Sequence, residues 1–193
     1  MRAGSILTVL IAIFAIARTS WGIEWADLGA DPRRGNLFYK FNSEIPFTGI
    51  ATQDWSNGQR WTETNILNGK KHGKETYWYD SGQTWHEAEW RDNKRNGKYT
   101  KWYENGNKES EGEYRNDKMH GFWTHYYLGG QKKMEQELSD GERISMTNWD
   151  QDGLKTEVIE YRNDKISRWI RWNNQTIISA KCWDENGNSI PFK

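Results

Sequence analysis

The chain has one cysteine and three prolines in 193 residues, and its charges cancel at 27 basic against 27 acidic side chains. Each scarcity excludes something. Cys182 alone cannot form an intramolecular disulfide, so it is read as a small, partly buried apolar residue rather than a reactive thiol. A net charge of zero removes the basic footprint of a phosphate-tracking protein, and nucleic acid is not an expected partner. With only 35% hydrophobic residues, few of them Leu, Ile or Val, a thick aliphatic core is excluded. No G-x-S-x-G, P-loop, HExxH, CxxC or dinucleotide fingerprint occurs, so the expectation is a non-enzymatic protein with no cofactor. What the chain does have is aromatic: 13 Trp, 9 Tyr and 6 Phe. A mean hydropathy of −1.06 would otherwise suggest disorder, but large rings can order a chain that lacks aliphatics.

The N-terminus differs from the rest. Arg2 supplies a positive start, and Ile6 to Ala17 is an apolar run of 12 residues. That length suits a signal peptide, since a membrane-spanning helix needs about 20 apolar residues. Ser20 and Gly22 make a small-x-small cleavage pattern after Gly22, with Ala15 and Ala17 as the alternative. No cysteine stands near either point to carry a lipid. The expected organisation is a signal peptide over 1–22, an N-terminal cap over 23–47 and a repeat domain over 48–193. An exported protein, periplasmic or extracellular, follows from that leader.

An internal repeat governs the remainder. Gly49, Gly73, Gly97 and Gly121 are spaced by 24 residues, and so are Gly58, Gly82, Gly106 and Gly130. Thr52, Thr76, Thr100 and Thr124 share one position of this period, and Glu63, Glu87, Glu111 and Glu135 another. Past Glu135 the repeat continues with slipped spacing. Between the glycines lie short stretches rich in Thr, Trp and Tyr, which favour a pleated strand. Asn57-Gly58, Ser81-Gly82, Asn105-Gly106 and Gly129-Gly130 suit the two left-handed positions of a type I′ turn. The stretches beginning at Asn68, Asp92 and Asn116 turn the chain into the next hairpin. The expected fold is all-β: an elongated, single-layer antiparallel sheet of stacked hairpins. A two-residue turn at Asn105-Gly106 places Thr100 opposite Glu111, Lys98 opposite Glu113 and Trp102 opposite Glu109. The same reasoning pairs Thr76 with Glu87 and Thr124 with Glu135. The opposite face, with Tyr77, Tyr79, Ala88, Trp90, Tyr99, Tyr103, Gly112 and Tyr114, is expected to be the packed one, and the Glu and Trp face the wetter one.

The recurring G-x-x-x-x-[WY]-[WY]-x-x-G unit, with N-G-K or N-D-K before the next glycine, resembles the MORN repeat. The resemblance is to its bacterial variant, the YwqK-like antitoxin group, and covers about residues 47 to 187. It implies stacked hairpins and a scaffolding, antitoxin or lipid-binding role, and it supplies no catalytic residues.

Four groups of residues are candidate sites. His72 and His120 stand two units apart, about 19 Å at the usual strand spacing, too far to share a metal. His86 and His125 have no Cys nearby and read as turn or surface residues, so no metal is expected. The i, i+2 pairs Glu87/Glu89, Glu111/Glu113 and Glu135/Glu137 obey the repeat, which suits a solvated ladder better than a glycosidase pair. Trp78, Trp85, Trp102 and Trp123 read as an aromatic ladder or as sugar platforms. Lys70, Lys71, Lys94, Arg95 and Lys118 form a row of turns that can meet phosphate headgroups, although neighbouring glutamates favour plain solvation and membrane association is not the preferred reading. The leading expectation is a binding or scaffolding module that meets a protein or glycan through Trp78, Trp102, Glu87, Glu111 and Glu135. An antitoxin or immunity-type inhibitor with an acidic face, and a peripheral binder of anionic lipid, are the alternatives.

Overall fold

The computed structural model describes residues 22–31 and 35–192. The leader read over Met1–Gly22 therefore lies, Gly22 apart, outside the described residues. Strands β1 (Ile23–Glu24), β2 (Leu28–Asp31) and β3 (Leu37–Lys40) precede the repeat, with one 3₁₀ turn at Trp25–Asp27. Twelve strands follow as β4 (Gly49–Asp54), β5 (Arg60–Leu67), β6 (Lys70–Trp78), β7 (Thr84–Arg91), β8 (Lys94–Trp102) and β9 (Lys108–Arg115), then β10 (Lys118–Tyr126), β11 (Lys132–Ser139), β12 (Glu142–Trp149), β13 (Lys155–Arg162), β14 (Lys165–Asn173) and β15 (Thr176–Trp183). Strand β16 (Ser189–Ile190) closes the series.

The protein is all-β, and its main sheet is a single open layer of 14 strands in the order β1-β4-β5 through to β16. From β4 onward every neighbour is antiparallel and consecutive in sequence, so the chain is a continuous meander. Only β1 departs: it runs parallel to β4, pairing Ile23 with Ala51. Strands β2 and β3 form their own small hairpin. Phe47, Ala51 and Ile66 are buried beneath Ile23, Trp25, Leu28 and Phe38, which puts an apolar cluster at the first edge of the sheet. Among the described residues no helix is long and apolar enough to cross a membrane.

The turns alternate in kind. Asn68-Gly69, Asp92-Asn93, Asn116-Asp117 and Asp140-Gly141 all have positive φ at both positions, the type I′ geometry whose twist matches the strands. At the other end of the sheet the Asn-Gly turns are not type I′, contrary to the sequence reading. There Gly106 N donates to Tyr103 O (2.9 Å), Tyr103 N donates to Asn107 O (2.8 Å), and only Gly106 is left-handed, at φ 86°. This is a three-residue loop whose glycine makes a bulge. Gly58, Gly82 and Gly130 repeat it. The bulge adds a residue to the returning strand. Trp102 consequently faces Lys108 rather than Glu109, while Thr100 faces Glu111 and Lys98 faces Glu113 as expected. Gly73, Gly97 and Gly121 have a different role. Each lies within a strand at positive φ (91°, 124° and 70°), where the pairing with the preceding strand is displaced.

Two sets of contacts hold consecutive hairpins together. At the bulged end the first turn residue reaches forward to the next hairpin. Trp55 Nε1 donates to Trp78 O (3.1 Å), Tyr79 Oη to Trp102 O (2.8 Å), Tyr103 Oη to Tyr126 O (2.9 Å) and Tyr127 Oη to Trp149 O (2.9 Å). At the type I′ end the turn amide reaches back, as in Asn93 N to Lys71 O (3.0 Å) and Asp117 N to Arg95 O (2.9 Å). The paired aromatic residues of the repeat are thus explained as clips.

Candidate binding face

Residues paired across an antiparallel ladder share a face. Following the register from β4 to β12 gives one transverse row: Thr52, Glu63, Thr76, Glu87, Thr100, Glu111, Thr124, Glu135 and Thr147. The threonine and glutamate pairs expected within hairpins also continue between them. Beyond β12 the row turns apolar, through Val158, Ile170 and Ala180.

Lysines pair with three of the four glutamates in this row. Lys74 Nζ lies 2.6 Å from Glu87 Oε1, Lys108 Nζ 2.5 Å from Glu111 Oε2 and Lys132 Nζ 2.6 Å from Glu135 Oε2. Tyr126 Oη donates to Glu111 Oε1 at 2.5 Å, so both oxygens of that carboxylate are engaged. The Lys108 and Tyr126 hydrogen bonds hold the Glu111 pKa below its ordinary value. Desolvation, and then the Glu111 carboxylate, push the Tyr126 phenol up to about 12.

A second row runs beside the first. Trp78, Trp102, Tyr126 and Trp149 end β6, β8, β10 and β12, and face Thr84, Lys108, Lys132 and Lys155. Trp78 and Trp102 are half-buried. Trp123 is not part of this surface. It lies on the other face, 2% exposed, stacked on Tyr99 (5.5 Å) and edge-on to Tyr114 (5.0 Å), over the bare Cα of Gly112. Trp85 is likewise taken up in ring contacts with Tyr77 and Tyr79. Of the four tryptophans read as platforms, the structure leaves Trp78 and Trp102 beside the glutamate row. Glu87 and Trp102 come together in one open groove of about 470 Å³, with Gly82, Gln83, Thr84 and Gly106.

The other face holds a network that the sequence reading missed. Glu75 is 3% exposed and is a charge in an aromatic layer. Its carboxylate accepts from Thr64 Oγ1 (3.0 Å), Lys71 Nζ (2.6 Å) and Trp90 Nε1 (2.8 Å). Lys71 in turn sits 4.5 Å from the Trp90 ring centre and 5.9 Å from that of Trp25. The period carries a signal for it, since Glu75 occupies the place filled by Tyr99 and Trp123 in the next two units. His86 also belongs to this layer rather than to the surface. It stacks on Tyr77 at 4.4 Å, and desolvation lowers its pKa. His125 is shifted the same way for the same leading reason.

The row of basic turns is divided. Lys71 belongs to the Glu75 network, and Arg95 lies 3.3 Å from Asp117 and over the Tyr114 ring at 4.0 Å. Among the described residues no three of His, Cys, Asp and Glu come together as a metal set.

Fold and surface together define a hairpin-repeat protein whose main sheet presents a periodic polar face. No protein-family profile matches the chain, and no curated protein matches it.

Proposed function

We propose that this chain is an exported, non-catalytic module of MORN-like repeats that binds an extended partner along its glutamate and aromatic face. The observation that carries this reading is the unbroken Thr–Glu row across nine strands, flanked by Trp78, Trp102, Tyr126 and Trp149. Identical chemistry recurring every second strand, about 10 Å apart, suits a polymer whose own groups recur. A glycan chain fits better than a basic protein effector. Lys74, Lys108 and Lys132 cancel the glutamates they touch, so the row offers little acidic field to steer a cation. With Lys71 and Arg95 engaged elsewhere, a phosphate-binding row is also the weaker alternative.

The test is binding of the purified protein to soluble polysaccharides and to extended peptides, compared with the triple variant Glu87→Lys, Glu111→Lys, Glu135→Lys. Loss of binding in a variant that keeps its far-ultraviolet circular dichroism supports the reading; undiminished binding refutes it. Export is checked by N-terminal sequencing of the protein from its native host, where a mature start near Ile23 is expected.

A further inference from the structure

The glutamate row is regular in sequence but not in its contacts. At Glu111 both carboxylate oxygens are occupied, Oε2 by Lys108 and Oε1 by the Tyr126 hydroxyl. At Glu135, Oε2 takes both Lys132, three residues earlier, and the Thr124 hydroxyl. Glu87 has neither arrangement. Three residues before it stands Thr84, too short to reach back, and the aromatic side chain two strands from Thr76 is Trp102, which has no hydroxyl. The described partner of Glu87 is Lys74, on Oε1; Lys74 is itself 56% exposed, and Oε2 has no described partner.

The same substitution opens space. The turns after β6 and β8 bring Gly82 and Gly106 to the rim, and Thr84 lacks the long side chain that fills this position in the neighbouring units, where Arg60, Lys108 and Lys132 stand. The resulting groove of about 470 Å³ has Trp102 and Glu87 in its wall. The Trp102 ring stacks on no other described ring and carries no cation, unlike Trp85, Trp90, Trp123 and Trp149. An unstacked indole beside a half-satisfied carboxylate in an open groove is the chemistry that recognises a sugar ring. The ring's axial C–H groups lie on the negative face of the indole, and vicinal hydroxyls donate to the free carboxylate oxygen.

We infer that the Glu87–Trp102 groove is a subsite for a neutral pyranose residue of a glycan. The inference rests on the binding-face reading and narrows it to one unit of the repeat. An anionic sugar is disfavoured, because its carboxylate or sulfate would meet Glu87.

Tryptophan fluorescence and saturation-transfer NMR with methyl β-glucoside and with β-1,4-linked tetrasaccharides of glucose and of N-acetylglucosamine test this on the whole protein. The expected result is tetrasaccharide binding that weakens about tenfold or more in Trp102→Ala and in Glu87→Gln. Thr84→Lys copies the neighbouring units, preserves the strand and is expected to abolish binding by filling the groove. Wild-type protein that binds none of these sugars, or sugar binding that survives Thr84→Lys and Trp102→Ala alike, overturns the subsite. Glu111→Lys with Glu135→Lys lies outside the groove. If the wild type binds an extended peptide and loses it in that double variant while no sugar binds, the face reading stands and the sugar assignment alone fails.

Discussion

Strands β4 to β11 and strands β12 to β16 are built from the same kind of hairpin, yet they are held together differently. In the first group each bulged turn opens with an aromatic residue that hydrogen-bonds the next hairpin, as Tyr79 does at Trp102 and Tyr103 at Tyr126. In the second group that position is aspartate. Asp150 Oδ1 accepts from Asp152 N (3.1 Å) and Leu154 N (2.9 Å), and Asp184 Oδ1 from Asn186 N (3.0 Å) and Asn188 N (2.8 Å), all within their own turns. An aromatic there couples neighbours, whereas an aspartate completes its own turn and couples nothing. The alternation of turns also fails in the second group. Asn174-Gln175, both at positive φ, makes a two-residue turn where the pattern would place a bulged one. The transverse row becomes Val158, Ile170 and Ala180, and Ile144, Ile166, Ile177 and Ile178 stand exposed. The backbone ladder joins the hairpins in both groups, and the aromatic at the turn adds to it a side-chain link that the aspartate does not.

The largest test of this contrast is truncation of a ring on each side. Trp123→Ala is expected to cost about 3–5 kcal/mol, because the ring is fully enclosed by Tyr99, Tyr114 and Gly112. Trp169→Ala removes a half-buried ring and one hydrogen bond to Glu157, and is expected to cost less than half as much in urea unfolding. Equal losses would erase the distinction. Next in size is Glu75→Gln, which leaves Lys71 without its counter-charge between two indoles; roughly 3 kcal/mol is expected, read from the same unfolding curves. Tyr103→Phe deletes a single clip and is expected to cost about 1 kcal/mol, with hydrogen exchange accelerated first in the hairpins that flank it. Asp150→Ala should leave exchange in the neighbouring hairpins unchanged.

The smallest effect is on pH dependence. Tyr126 binds its proton more tightly folded, with a pKa pushed up to about 12 from 10.0, so its contribution is whole below 10 and is lost as pH rises through 12. Tyr77, Tyr79 and Tyr99 are raised as well and act in the same direction. Tyr126→Phe is expected to flatten the alkaline limb of a stability profile without removing it. On the acid side His86 and His125 are lowered, so they stabilise the fold above their unfolded value near 6.5 and cease to as pH falls through their folded values. His86→Phe should weaken that limb while keeping the stack on Tyr77.

The hairpins and the Thr–Glu partners were legible in the sequence because a 24-residue period and turn residues fix strand ends within a residue or so. The turn types were not. Asn-Gly suits both a two-residue turn and a three-residue loop with a left-handed glycine, and only the count of residues between paired strands separates them. That one-residue difference moved Trp102 from Glu109 to Lys108. The Glu75 network was hidden for another reason. A glutamate among many glutamates reads as surface, and its meaning emerges only when Glu75 is aligned with Tyr99 and Trp123. Thr84 was equally visible as the short residue among Arg60, Lys108 and Lys132, but what a missing lysine leaves open depends on the register.

The forward clips also make length a separable property of this molecule. Joining Trp78 directly to Tyr103 would remove one unit of 24 residues while keeping the Trp55 clip on Trp78 and the Tyr103 clip on Tyr126. Thr76 would then face Glu111, and the polar row would close up without a change of sign or size. The sheet would be shorter by two strands, about 10 Å, and would give up the Trp90 donor to Glu75 and the Glu87–Trp102 groove with them. A surface assembled this way behaves as a ruler with a fixed graduation, on which reach is adjusted by whole divisions, and unequal recombination between units is a direct route to lengthening or shortening it.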